Sequence, residues 1–175
     1  MIDPNLIRTF QRILDKLADA GKLELAQQGH RATGKGIESV EGVVSDITVD
    51  KLVGVIMAND YLLPVDTGVK ASRIAYNPGS GTRTSKYIEG LIRWAGVVKP
   101  SLSPKERKSF AFAVAAKHKR EGMPTRASFS FSRNGRRKDW VKFGLADNVD
   151  AIVEAANMLE VFERQFDKAL QNIAA

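Results

Sequence analysis

Two long apolar stripes at helical spacing, one at each end of the chain, constrain the fold more than any other feature. Leu6, Ile7, Phe10, Ile13, Leu14 and Leu17 share one face of a first helix, which Asp3 can cap and Pro4 can open. That pattern weakens near Gly21, resumes with Leu23, Leu25 and Ala26, and ends by Gly29. Val149, Ile152, Val153, Ala156, Leu159, Phe162, Phe166, Leu170 and Ile173 form the second stripe, on a helix expected from about 147 to 173 with Asp147 as its cap. A helix with one apolar face must bury that face against another element.

The segment between the stripes supplies such elements. Val40 to Val49 and Leu52 to Met57 are rich in β-branched residues and predict a hairpin across Asp50-Lys51. Asn59 to Gly68 is turn-rich, and Asn77 to Gly81 reads as a loop. Ile88, Leu91, Ile92 and Ala95 mark a short helix ending near Gly96. Ser103-Pro104-Lys105-Glu106 is a capping box with proline at the first helical position, and that helix carries Phe110, Val114 and Ala115 and stops at Gly122. A second hairpin is expected over about 125–143: Ala127, Phe129 and Phe131 alternate with polar residues, Asn134-Gly135 is a hairpin turn signal, and Val141 and Phe143 alternate on the return. The expected fold is α+β, one domain over 1–175. Its long N- and C-terminal helices pack on a small antiparallel sheet, with a two-helix insertion and a basic β-hairpin.

With 175 residues and 43% hydrophobic content the chain can bury a real core. The absence of cysteine excludes disulfides, thiol catalysis and cysteine-based zinc sites. Met1-Ile2-Asp3-Pro4 does not open a signal peptide, and no apolar run approaches the roughly 20 residues of a membrane span, so a soluble protein with no membrane partner is expected.

Charge is strongly segregated. Lys99 to Lys142 holds thirteen Lys/Arg and three acids, a formal charge of +10 in a chain of +7, which leaves −3 elsewhere. Such a field attracts polyanions or an acidic protein surface. Its most concentrated part is the expected hairpin tip, Arg133, Arg136, Arg137 and Lys138, followed by Lys117, Lys119 and Arg120. Trp94 and Trp140 can stack on bases, but their apolar neighbours place them in the core or an interface.

Reactive chemistry is poorly supported. Gly29 to Gly36 nearly spells a phosphate loop, but Gly36 stands where a magnesium-holding Ser or Thr is needed, and a helix precedes it instead of a strand. Val65-Asp66-Thr67-Gly68 matches the aspartic-protease triplet, without the downstream strand such an enzyme needs; it reads as a turn. His30 ends a helix and His118 lies among cations, so both read as surface residues, with no metal site and no cofactor implied. No enzyme is expected.

The order of motifs resembles the tail-completion and head–tail joining (neck) proteins of tailed bacteriophages, over roughly residues 5 to 125. Ala32-Thr33-Gly34-Lys35-Gly36-Ile37-Glu38-Ser39 resembles the family's Thr-Gly-x-Leu-x-x-Ser segment after a long first helix. Tyr61 to Gly68 resembles its Tyr-x-x-x-Val-acid-x-Gly segment after a hairpin, and Ile88 to Val98 followed by Phe110 to Gly122 resembles its Ile-x-x-Trp helix and the next helix. The segment from Phe129 to Trp140 and the long last helix depart from the family pattern. The resemblance implies that Thr33, Gly34, Asp66 and Gly68 are structural turn residues. It implies a non-enzymatic virion protein of the neck or tail, made in the host cytoplasm and forming a homo-oligomeric six- or twelve-fold ring. Its partners would be the portal or connector, a tail terminator or tail tube proteins, with genomic DNA passing through. A free nucleic-acid-binding protein, with Arg133, Arg136, Arg137, Lys117, Lys119 and Arg120 on phosphates, is the alternative.

Overall fold

The computed structural model describes residues 4–48, 51–77, 85–156 and 164. In chain order they form α1 (Pro4–Gln27), α2 (Lys35–Glu38), β1 (Glu41–Ile47), β2 (Leu52–Met57), α3 (Leu62–Thr67), α4 (Lys86–Val98), α5 (Pro104–Glu121), α6 (Trp140–Gly144) and α7 (Val149–Ala155), with short 3-10 turns at Ala71–Arg73, Arg126–Phe131 and Ala146–Asn148. The fold is α+β, with a two-stranded antiparallel sheet. Two compact units divide it. A hairpin unit takes the chain to Ala26, Gly36–Asp60 and the chain from Trp140; a helical unit takes Gln27–Lys35 and Tyr61–Asp139.

In the hairpin unit the two terminal stripes meet. Leu6, Ile13 and Leu17 are buried, and Phe10, Leu52, Ile56, Ile152, Val153 and Ala156 pack against them. The strands lie directly on α1 because two positions carry no side chain. A Cβ at Gly42 would stand 2.6 Å from the Leu14 backbone, and one at Gly54 would stand 2.5 Å from Leu14 Cδ2. The Gln11 amide also donates to the Gly42 carbonyl at 2.8 Å. The dip in the α1 stripe at Gly21 is a contact too, since Leu145 and Trp140 approach the helix there.

The helical unit is built on the α4–α5 pair. Ser85 caps α4 by accepting the Ile88 N–H at 3.3 Å. At the start of α5 the Ser103 N–H donates to the Glu106 carboxylate at 2.8 Å, and the Glu106 N–H donates to Ser103 Oγ at 3.4 Å. Ala95, Ala111 and Ala115 are fully buried between the two helices, small enough for close approach. The turn-rich passage before them contains a helix, α3, with Pro64 in its first turn and Leu62 buried. Asp66 lies within α3, and its carbonyl accepts the Asp139 N–H at 2.8 Å. Gly68 ends α3 with φ of 73°, and the next residue, Val69, exchanges two backbone hydrogen bonds with Met123 at 2.7 and 2.8 Å.

The expected second hairpin over 125–143 does not form. Arg126–Phe131 is a 3-10 turn and Trp140–Gly144 is helical. The alternating serines explain the change. Ser128 Oγ donates to the Thr125 carbonyl at 2.7 Å and Ser130 Oγ to the Ala127 carbonyl at 2.8 Å. These three-residue back-bonds suit a 3-10 turn and compete with a strand ladder. Asn134-Gly135 is a turn as expected, with Gly135 at φ of 73°, but strands do not flank it. The expected cap Asp3, the loop centre beyond Asn77 and most of the helix expected to reach 173 lie outside the described residues; its described part is α7.

Candidate interaction surface

Residues 132–138 are clamped to the chain leaving α1. The Arg133 N–H donates to the Gln27 carbonyl at 2.8 Å, Ser132 Oγ to the same carbonyl at 3.5 Å, and the Gln28 side-chain amide to the Lys138 carbonyl at 2.9 Å. Ser132 Oγ and Asn134 Oδ1 both accept the Arg136 N–H, at 3.0 and 3.1 Å, closing the intervening loop. Gly29 makes the clamp possible. Its φ is 81°, and a Cβ there would stand 2.4 Å from the Phe131 carbonyl oxygen.

The seven cations singled out in the sequence divide into two kinds. Arg137 turns inward: it donates to the Gln28 carbonyl, and burial draws its pKa below the ordinary arginine value. Lys119 is half-buried and donates to the Ile74 carbonyl at 3.1 Å. These two donate to backbone carbonyls just past the end of α1 and at the end of the Ala71–Arg73 turn. Arg133, Arg136, Lys138 and Arg120 are exposed, while Lys117 is half-buried. Lys138 lies 3.8 Å from the Asp139 carboxylate in an exposed pair. Arg126, not singled out by the sequence pattern, joins the exposed group, its N–H fixed by the Glu121 carboxylate at 3.0 Å.

The aromatics fall differently from the expected strand alternation. Phe131 is 73% exposed and Phe129 is 40% exposed, and the exposed Arg126 and Arg133 flank them in sequence. Trp140 is buried in the hairpin unit. Trp94 is partly exposed and stacks on Phe110 with ring centres 6.0 Å apart.

Thr33 is exposed and Gly34 has φ of 75°, so the near-phosphate loop is a turn between α1 and the single turn α2. Both histidines are half-buried, in contrast to the surface positions expected. Burial, aided by the Arg137 charge, pushes the His30 pKa down to about 4, and its Nε2 is buried without a hydrogen-bond partner. Burial also lowers His118, whose Nδ1 shares a hydrogen bond of 2.6 Å with the Tyr87 hydroxyl, and burial raises that phenol to about 12. Among the described residues no group of three or more His, Asp or Glu could hold a metal ion, and no helix is long and apolar enough to cross a membrane.

No family model, curated protein or solved structure matches the chain.

Proposed function

We infer that the chain is a structural subunit of a tailed-bacteriophage neck or tail, a ring-forming head–tail joining or tail-completion protein that works through protein–protein contacts around the DNA channel. The observation that carries this reading is the exposed surface of Phe129, Phe131, Arg126, Arg133 and Arg136 on a segment clamped to the end of α1. Aromatic and arginine side chains on a rigid support lose little entropy on docking and make up the energetic centres of protein interfaces. The element order agrees with the resemblance. A long helix is followed by the turn at Gly34, a hairpin, a segment ending at Gly68, and a helix pair ending at Gly122.

Electron microscopy of lysates from a phage lacking this gene tests the role. Filled heads and finished tails that remain separate are the expected result. Normally joined particles would overturn it. The same exposed cations also favour a second reading, binding to nucleic acid, in which Phe131 stacks on a base and Arg133 and Arg136 contact phosphates.

A further inference from the structure

The outer face of the β1–β2 hairpin is the chemical counterpart of the Phe131 surface. Gly42 and Gly54 face α1, so strand alternation turns Val43 and Val55 outward, and these two are cross-strand partners. Met57 pairs with Glu41 at one end of this face. At the other end an irregularity between Val44 and Asp46 sets Asp46 opposite Val53. Val43, Val55 and Met57 are exposed, as are both carboxylates. The face therefore has an apolar centre with one acid at each end. Neither Glu41 nor Asp46 is in an ion pair among the described residues. The Phe131 segment has the inverse composition, an exposed apolar ring with the exposed Arg126 and Arg133 flanking it in sequence.

We propose that Phe131 of one copy, flanked by Arg126 and Arg133, seats on Val43, Val55 and Met57 of a second copy, between Glu41 and Asp46. The contact joins two different patches of the same chain, so each copy offers one of each and the contact repeats from copy to copy. Opposite charges at the rim set the orientation, and the ring buried on the valines supplies the affinity. The proposal rests on the ring-subunit reading and names the surfaces that would join its subunits.

Sedimentation of the full chain over a concentration series tests it. The wild type is expected to self-associate. Phe131→Ser and Arg133→Glu are surface changes, expected to leave the circular dichroism unchanged and to weaken association at least about tenfold. Asp46→Arg weakens it from the other side. Mixing Arg133→Glu chains with Asp46→Arg chains restores a dimer, because the second supplies an intact aromatic patch and the first an intact hairpin face. A wild type that stays monomeric at its highest soluble concentration overturns the proposal. So does unchanged association of Phe131→Ser, or loss of binding to duplex DNA in these variants with association unaltered. Because gene deletion reads joining in the particle independently, monomeric protein with separate heads and tails would remove this contact and leave the neck reading standing.

Discussion

At the scale of single residues, Arg137 and His30 show how position changes a side chain's role. In the sequence Arg137 is one of four cations around Asn134-Gly135. In the fold it closes the end of α1 by donating to the Gln28 carbonyl, and its charge helps keep His30 neutral. The depressed imidazole pKa makes stability depend on pH. Unfolded His30 titrates near 6.5 and folded His30 near 4, so between these values the unfolded state binds more protons. The stabilisation is complete above about 6.5 and is lost as pH falls through the folded value near 4. Urea midpoints should therefore fall from pH 7 to pH 5, and His30→Gln should flatten the decline. His118 is displaced in the same direction and leaves a residual slope. A His30→Gln profile parallel to the wild type would contradict the burial of this ring. Nothing in the local sequence distinguishes Arg137 from Arg136, because the difference is set by which carbonyl lies within reach after residues far apart in sequence meet.

At the scale of elements, capping chemistry was legible and the second hairpin was not. The Ser103, Pro104 and Glu106 signature sets the start of α5 through contacts within four residues, so no distant partner is needed. The β1–β2 hairpin was legible for a similar reason: β-branched runs flank a short turn. The 126–131 segment carries the same alternation, but its polar positions are serines that bond their own backbone, and alternation by itself does not reveal that competition. The glycines under the sheet give an ordered prediction. Gly42→Ala should cost more than Gly54→Ala, because the first Cβ meets Leu14 backbone and the second meets the end of the Leu14 side chain, which can turn aside. Overpacking of this kind costs about 1–3 kcal/mol, with Gly42 at or beyond the upper end. Chemical denaturation of the two variants measures the order, and equal costs would argue against the direct contact of β1 with α1.

At the scale of the molecule, charge divides by folded unit. Among the described residues the hairpin unit carries seven Lys/Arg against ten Asp/Glu, and the helical unit eighteen against five, giving formal charges of −3 and +13. Lys142 belongs to the hairpin unit although it ends the basic sequence segment, whereas Arg31, Lys70 and Arg73 belong to the helical unit although they lie outside it. Salt separates the two uses of this field. Duplex DNA binding through phosphates should weaken steeply and linearly on a logarithmic salt scale. Self-association through Phe131 and the Val43–Val55 face should weaken only modestly between low and moderate salt, because screening acts on the charged rim and leaves the apolar centre intact. Association measured at several salt concentrations that collapsed as steeply as DNA binding would favour a purely electrostatic contact.

The sequence by itself determined what depends on neighbours along the chain. It set the apolar stripe and proline start of α1, the capping box of α5, the first hairpin, the glycine ends at Gly29, Gly68 and Gly122, the α+β class and the concentration of positive charge between Lys99 and Lys142. The tertiary structure decided what depends on residues distant in sequence. It consumed Arg137 and Lys119 on backbone carbonyls while leaving Arg133 and Arg136 exposed, left Phe131 exposed on a 3-10 turn in place of a strand, and buried Trp140 beside Gly21. The physical reason is range. Caps, turns and stripes are fixed by hydrogen bonds and side-chain spacing within a few residues, whereas the exposure of a cation or an aromatic ring is settled only when segments such as Gln27–His30 and Ser132–Lys138 are brought together.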